Sequence, residues 1–247
     1  MTRIGVVVFP GSNCDTDTLR GVQLAGGEPV VLWHESADLQ DVVAVILPGG
    51  FAYGDYIRAG VIARFSPVMR SVSDFAARGG LVLGICNGFQ VLAEAGLVPG
   101  ALLRNSSLQF VGRTVRIAAT RGDSRFTRGV TVGRPLAMPV AHGEGCYYAD
   151  DATLDELERS GRVLFHYVGA DGHVAADASD PDNPNGSLRG IAGVTNPAGN
   201  VAGLMPHPER ASEAILGSAD GLPLLRALVA SAAESAPIRR PEPVPVG

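Results

Sequence analysis

The sequence predicts an α/β fold: an open, mainly parallel β-sheet with helices on both faces, extended by a smaller antiparallel or mixed β region. Two observations predict it. In the first hundred residues, short apolar runs alternate with amphipathic stretches. The runs are apolar throughout instead of alternating with polar residues, which is typical of parallel strands buried on both faces. In such sheets the functional site lies beyond the carboxyl ends of the strands.

The first half of the chain supplies most of this pattern. Residues 4–9 predict a buried strand, and residues 16–25 predict a helix with Asn13 or Asp15 as its N-cap and Gly26-Gly27 as its stop. The next predicted elements are a strand at 29–32, a strand at 42–47, a helix at 67–77, a strand at 81–85 and a helix at 87–95.

The second half is more irregular. It predicts strands at 113–119, 163–167, 191–195 and 201–205, a dense turn cluster at 180–187 and a helix at 222–232. Because no linker interrupts this pattern, we predict a single domain over residues 1–235. The Pro-rich segment 236–247 predicts a mobile tail.

Composition excludes several classes of function. The net charge is −5 with no Lys/Arg block, which argues against nucleic-acid binding. The longest apolar run, residues 42–47, is far below the ~20 residues that span a bilayer. The three cysteines, Cys14, Cys86 and Cys146, do not form a disulfide framework and indicate a reducing, cytoplasmic location. Cysteine and histidine spacings predict no metal site, and no glycine motif predicts a nucleotide site.

The sharpest local feature is Gly84-Ile85-Cys86-Asn87-Gly88, which follows a predicted strand and opens a predicted helix. This is a nucleophile elbow with cysteine in place of serine. Helix N–H groups favour a thiolate at Cys86, but the helix dipole contributes at most about 2 kcal/mol. Because that is too little to ionise an ordinary thiol fully at neutral pH, we expect a histidine partner.

His207 is the best candidate among the five histidines. It follows the predicted strand at 201–205, stands between two prolines that restrict the backbone, and precedes Glu209 by two residues. Such a carboxylate can fix the tautomer of the ring and support its charged form. His142 is also notable, because its flanking glycines are typical of a flexible functional loop. We expect His34, His166 and His173 to be structural or solvated.

Backbone groups complete the predicted site. Gly49-Gly50 ends the strand that should neighbour the Cys86 strand, so the N–H of Gly50 and the N–H of Asn87 predict an oxyanion hole. Cys14 is a rival nucleophile because it also lies between a strand and a helix, but it lacks flanking glycines. We expect Cys146, which precedes two tyrosines, to pack against its neighbours.

Several segments of the sequence resemble those of the class I glutamine amidotransferases. The shared segments are the 84–88 elbow with Gln90, Pro48-Gly-Gly-Phe51 and Pro206-His-Pro-Glu209. Further segments resemble the glutaminase subunits that serve purine biosynthesis: residues 9–15, 49–56, 104–105, 141–145, 183–187 and 203–210. The resemblance extends to about residue 230 and implies a flavodoxin-like sheet. Cys146 and the Pro-rich tail depart from the family pattern.

The resemblance also implies roles. Cys86 would be the nucleophile, His207 the base and acid, and Glu209 the orienting carboxylate of a glutaminase that releases ammonia from L-glutamine. Gly50 and Asn87 would bind the oxyanion, and Gly50 and Gln90 would contact the substrate. The chain itself would need no cofactor. ATP and Mg would bind a large synthetase subunit, which a small accessory subunit would join.

We expect the docking face for these partners to include Asp55, Tyr56, His142 and Glu144. Two alternatives remain at this stage: another cysteine-elbow amidohydrolase or peptidase, and a non-catalytic regulatory subunit. The peptidases of related fold typically place a histidine directly after the cysteine, where this chain has Asn87. Regulatory relatives usually lack a triad residue, and all three are present here.

Overall fold

The computed structural model describes residues 1–235. Its strands are β1 (Arg3–Val8), β2 (Glu28–Trp33), β3 (Ala44–Leu47), β4 (Leu81–Ile85), β5 (Ala101–Leu103), β6 (Val111–Ala119), β7 (Leu136–His142), β8 (Cys146–Tyr148), β9 (Val163–Tyr167), β10 (Ile191–Thr195) and β11 (Val201–Leu204). Its α-helices are α1 (Asp15–Leu24), α2 (Pro67–Ala77), α3 (Asn87–Glu94), α4 (Asp151–Arg159) and α5 (Leu222–Glu234). The tail predicted to be mobile lies outside the described residues.

Nine of these strands form one sheet in the order β2-β1-β3-β4-β11-β10-β9-β6-β7. The first five are parallel to one another, and the remaining pairs are antiparallel. The parallel half has the flavodoxin-like order 2-1-3-4-5. The predicted fold class is therefore confirmed, and most of the predicted antiparallel region continues the same sheet. Within residues 1–235, only β5 and β8 pair outside this sheet.

The centre of the sheet is the most buried part of the molecule. Every residue of β3, β4 and β11 is buried. Because successive side chains of a strand point to opposite faces, both faces of the sheet must be covered here. Helix α3 packs on β3, β4 and β11, while α1 packs against α5. The carboxyl ends of these three parallel neighbours meet at one edge of the sheet, and the candidate site lies at that edge.

The structure differs from the predicted elements in two ways. Helix α1 has Cys14 as its N-cap, and this residue makes no side-chain capping bond. The prediction of Asn13 or Asp15 as N-cap was therefore wrong. Strands β5, β7 and β8 and helix α4 were not predicted. Pro139 stands in the middle of β7, where proline argues against a strand, and the burial of β7 alternates between full and partial.

Candidate active site

The Cys86 elbow is built by backbone strain at the end of β4. Cys86 has φ 48° and ψ −106°, a conformation that costs a non-glycine residue about 1–3 kcal/mol. Gly84 and Gly88 permit the turn because neither has a side chain. A methyl group on Gly84 would lie 2.6 Å from the carbonyl oxygen of Gly88, and a methyl group on Gly88 would overlap the carbonyl oxygen of Leu47. The strain presents the thiol at the start of α3.

The elbow fixes the surroundings of the sulfur. The backbone N–H of Cys86 donates to the carbonyl of Leu204 at 2.8 Å, which ties the elbow to the end of β11. Its Sγ lies 3.7 Å from the carbonyl oxygen of Ala141 near the end of β7. Asn87 is the first residue of α3, and the first N–H groups of a helix have no intrahelical partner. The Asn87 N–H therefore remains a candidate oxyanion donor.

His207 and Glu209 form a buried ion pair beyond the end of β11. Each residue is only 1% exposed, and His207 Nδ1 lies 2.5 Å from Glu209 Oε1. The backbone N–H of His207 donates to the carbonyl of Pro139 at 2.9 Å. Since β11 pairs in parallel with β4 and aligns Leu204 with Ile85, the ends of the two strands bring the histidine to the elbow.

Electrostatics favour the charged form of this histidine. Burial alone would lower the pKa of His207, but the charge of Glu209, with the contacts to Cys86 and Cys14, raises it well above its usual 6.5. Among residues 1–235, His207 Nε2 and Glu209 Oε2 are the buried side-chain atoms without a hydrogen-bond partner. The pair thus keeps one nitrogen and one carboxylate oxygen open to a reaction or a ligand.

Gly49 and Gly50 bring the backbone close to this pair. A methyl group on Gly49 would lie 2.5 Å from Cε1 of His207 and 3.1 Å from Sγ of Cys14. Gly50 has φ 146°, which favours glycine. Cys14, predicted as a rival nucleophile, is 2% exposed and its thiol donates to Asn13 Oδ1 at 3.2 Å. No sequence pattern indicates that Cys14 and His207 are in contact, because the two residues lie near opposite ends of the chain.

The predicted glutamine contact, Gln90, lies in a hydrogen-bond network beside the elbow. Asn87 Nδ2 donates to Gln90 Oε1 at 2.9 Å and to Asp55 Oδ1 at 3.2 Å, and Asn87 Oδ1 accepts from the N–H of Ala52. Gln90 Nε2 donates to the backbone carbonyl of Glu144 at 2.6 Å. The Gln90 amide therefore ties residues 52–55 to the loop after β7.

Three of the four predicted docking residues are at least partly exposed, and one is buried. Tyr56 is 74% exposed, and Asp55 and Glu144 are half-buried. His142 is 3% exposed: its Nδ1–H donates to Asn105 Oδ1 at 3.1 Å. Burial, followed by the charge of His207, lowers the pKa of His142 to about 4, so the ring is neutral near pH 7. The structure therefore does not place His142 on a docking face.

The remaining histidines lie outside the candidate site. His34 is buried and pairs with the Tyr53 hydroxyl, and His166 pairs with the carbonyl of Arg189. His173 is exposed and pairs with two aspartates.

The sequence analysis noted the segments of Asn105 and Asn185 as shared with the family but did not predict that their amides support the Glu144 loop. Asn105 Oδ1 accepts from the N–H of Gly145 at 3.0 Å, and Asn185 Nδ2 donates to the Gly145 carbonyl at 2.8 Å. Ser187 Oγ donates to Asn185 Oδ1 and accepts from the N–H of Tyr147. The turn residues at 180–187 were visible in the sequence, but their partners lie some forty residues away.

Asp55 provides a test of the buried charge at this site. Burial, followed by the charge of Glu144, raises the pKa of Asp55 from 3.8 to about 6. The folded state therefore binds the proton more tightly than the unfolded chain, and stability is lost as the pH rises from about 4 to about 6. We expect the melting temperature of Asp55→Asn, relative to the parent, to increase from pH 4 to pH 7 and then to level off. Thermal unfolding at several pH values measures this.

The exposed Asp151 offers a matched control for that experiment. The relative melting temperature of Asp151→Asn should not show the same rise between pH 4 and pH 7. A flat difference for Asp55→Asn across this range would contradict the assigned burial of the Asp55 carboxyl group.

The helices within residues 1–235 do not combine the length and the hydrophobicity that spanning a membrane requires.

Comparisons with known proteins agree with this geometry. Residues 1–220 match the family model of the CobB/CobQ-like glutamine amidotransferase domain. A curated relative from Rubrobacter xylanophilus, named phosphoribosylformylglycinamidine synthase subunit PurQ, is 56% identical over 230 residues, covering 93% of this chain and 99% of the relative.

Solved structures show the same fold. The chain is similar to one in the structure of PurLQS from Thermotoga maritima, with a TM-score of 0.80 and 40% identity, covering 92% of this chain and 97% of that chain. It is also similar in fold to a glutamine amidotransferase from Thermotoga maritima, with a TM-score of 0.58 and 16% identity, covering 95% of this chain and 99% of that chain.

Proposed function

The chain belongs to the CobB/CobQ-like glutamine amidotransferase family, and we propose from this premise that it is the glutaminase subunit of a phosphoribosylformylglycinamidine synthase. The observation that carries the proposal is the strained Cys86 elbow beside the buried His207–Glu209 pair. A relative that is 56% identical over almost the whole chain supports the choice of this synthase.

The geometry supports a two-step hydrolysis of L-glutamine. In the first step the thiol proton of Cys86 passes to His207, whose charged form Glu209 stabilises, and the sulfur then attacks the side-chain amide carbon. The oxyanion that forms lies near the N–H groups of Gly50 and Asn87. When the C–N bond breaks, His207 returns the proton to the leaving amide nitrogen, and ammonia departs from a glutamyl thioester.

The second step uses the same residues in reverse. His207 takes a proton from water, and the resulting hydroxide attacks the thioester carbon. When the C–S bond breaks, the proton on His207 passes to the Cys86 sulfur, and glutamate leaves. Glu209 accepts the hydrogen bond from His207 Nδ1 throughout, which holds the ring orientation and stabilises its charged form. We assign Gln90 to substrate contact because it follows Cys86 by one helical turn.

Ammonia made in this way is used by a partner. The similar chain of known structure comes from the PurLQS complex of Thermotoga maritima, and the curated relatives are named as a subunit. The chain therefore acts with a large synthetase subunit and a small accessory subunit. We assign ATP and Mg to the synthetase subunit and no cofactor to this chain, and we place the complex in the cytoplasm.

The partner contact belongs on the surface beside the elbow. We keep Asp55, Tyr56 and Glu144 of the predicted docking face, leave out the buried His142, and add the exposed apolar residues Phe51, Ile57 and Phe110. Phe51 and Phe110 are stacked with ring centroids 6.5 Å apart, yet each is more than 40% exposed, and Ile57 is 92% exposed. Exposed apolar clusters of this kind mark interaction sites.

Two further observations favour the same face. Asp55 and Ile57 have φ values of 52° and 71°, so the segment carries backbone strain of the kind found at functional sites. The segment is also joined to Gln90 through Asn87, so a partner bound here would lie next to the candidate site.

A charge placed on the docking face should weaken assembly. We expect Ile57→Asp to weaken binding of the synthetase subunit by about 30-fold or more, since hot-spot losses are about 2 kcal/mol or more. Alkylation of the Cys86 thiol in the isolated chain should be unchanged. The matched control is Ile215→Asp, because Ile215 is 91% exposed on a different surface turn. Normal assembly of Ile57→Asp would contradict the assigned face.

The function is tested by measuring ammonia release from glutamine with and without the two partner subunits. Release that rises in the complex and is coupled to ATP-dependent formation of formylglycinamidine ribonucleotide is expected. A complex that makes product from free ammonia but never from glutamine would contradict the glutaminase assignment and favour a regulatory subunit.

A further inference from the structure

A second thiol lies beside the histidine of the candidate active site. The Cys14 sulfur, a ring nitrogen of His207 and a carboxylate oxygen of Glu209 all lie within 4.8 Å of one another, and all three residues are buried. The sequence spacing gave no zinc pattern because Cys14 is contributed by the turn after β1 and the other two by the turn after β11. The cluster exists only in the folded chain.

We propose that Cys14, His207 and Glu209 form an inhibitory site for a thiophilic divalent cation, Zn²⁺ above all. The proposal rests on the proposed function only in naming what the metal inhibits. Two buried atoms of these residues, His207 Nε2 and Glu209 Oε2, have no hydrogen-bond partner within residues 1–235. His207 Nδ1 and Glu209 Oε1 are hydrogen-bonded at 2.5 Å, so a metal held by both residues displaces that bond.

The donor set selects the metal. Sulfur, imidazole nitrogen and carboxylate oxygen are the ligands that Zn²⁺ takes in proteins, at about 2.3 Å for sulfur and about 2.0–2.2 Å for nitrogen and oxygen. Mg²⁺ and Ca²⁺ prefer sites made of oxygen atoms alone, so a thiol and an imidazole disfavour them. Three protein ligands leave a fourth tetrahedral position for water.

Hydrogen bonds within the site compete with the metal for these ligands. Gly49 lies against both His207 and Cys14 with backbone alone, because any side chain there would collide with His207 and press on Cys14. The Cys14 thiol donates to Asn13 Oδ1 at 3.2 Å and also contacts His207. Coordination requires the Cys14 thiol and the charged His207 ring each to release a proton to solvent, so that sulfur and nitrogen lone pairs face the metal.

Bound metal would stop the glutaminase reaction without blocking the partner. With a nitrogen of His207 held by Zn²⁺ and Glu209 drawn to the cation, the ring can neither accept the Cys86 proton nor protonate the leaving ammonia. Synthesis from free ammonia does not need this histidine. Zn²⁺ should therefore inhibit glutamine-dependent synthesis and spare ammonia-dependent synthesis in the same complex.

Direct binding can be tested with Co²⁺ as a spectroscopic substitute for Zn²⁺. The full chain carrying Cys86→Ser removes the nucleophile as a source of thiolate. We expect an intense thiolate-to-Co²⁺ charge-transfer band in Cys86→Ser and in Cys86→Ser/Cys146→Ser, and loss of the band in Cys86→Ser/Cys14→Ser. A band that survives without Cys14, or no band in Cys86→Ser, would overturn the site. This readout does not depend on the proposed function.

Inhibition gives the second test. In the assembled complex, Cys14→Ser should raise the Zn²⁺ concentration for half-inhibition of glutamine-dependent synthesis by roughly 10- to 100-fold, the range already seen on loss of an outer-shell partner of a metal ligand. Cys146→Ser should leave that concentration unchanged, and a chelator should restore the rate. Equal sensitivity of Cys14→Ser and the parent would overturn the proposal. Absence of glutamine-dependent synthesis in metal-free complex would instead contradict the proposed function.

Discussion

Replacing Cys86 by alanine is expected to abolish glutamine-dependent ammonia release, with a loss of about 10⁶-fold in the rate of the glutaminase step. Removal of the nucleophile of a Ser–His–Asp enzyme costs about this much, and the Cys86 thiol occupies the corresponding position at a strained elbow. The substitution removes one sulfur atom and leaves the backbone unchanged. Ammonia release from glutamine in the assembled complex is the measurement.

Two cysteines serve as comparisons. Cys146→Ala is the matched control, because Cys146 lies on β8, where its thiol donates a hydrogen bond to the carbonyl of Gly186. Cys14→Ala is the discriminating variant, because Cys14 also contacts His207. We expect a far smaller loss for Cys14→Ala than for Cys86→Ala. Synthesis from free ammonia should persist in all three. A folded Cys14→Ala that loses the reaction while Cys86→Ala keeps it would reverse the assignment of the nucleophile.

Much of the fold was accessible from the sequence because its signals are local. Strands β3 and β4 are short runs of apolar residues, and burial on both faces of a parallel sheet is what such runs predict. The helices α2 and α3 begin where a proline or the elbow dictates. Strand β7 escaped prediction because Pro139 stands inside it, where it pairs with Thr114 of β6.

The candidate site was accessible to the same extent. The elbow glycines and the His-Pro-Glu segment lie next to the residues they position, so their spacing was informative. The contacts that surround these residues, in contrast, join segments that are far apart in the sequence. Nothing in the sequence around Cys14 indicates that a histidine almost two hundred residues away lies against it. The burial of His142 likewise depends on Asn105 and on Asn185, which approach from separate segments. Only the folded sheet brings these groups together.

Replacing Glu209 by glutamine is expected to lower kcat/KM for glutamine by about 10²- to 10⁴-fold, the upper value being that for the equivalent change in a Ser–His–Asp enzyme. In the parent, burial lowers the pKa of His207, and the charge of Glu209 is the largest effect that raises it. Without that charge, burial prevails and the pKa of His207 falls. The protonated ring that must release ammonia is then scarcer at neutral pH.

The pH profile separates this explanation from simple misfolding. The alkaline limb of kcat/KM, where His207 loses its proton, should move to lower pH in Glu209→Gln, and lowering the pH should recover part of the rate. Glu213→Gln is the matched control: Glu213 lies four residues on and pairs with Arg20 at the surface. Its profile should match that of the parent. A Glu209→Gln protein that stays folded with an unshifted alkaline limb would mean that the charge of Glu209 does not set the protonation of His207, and the buried pair would then be structural.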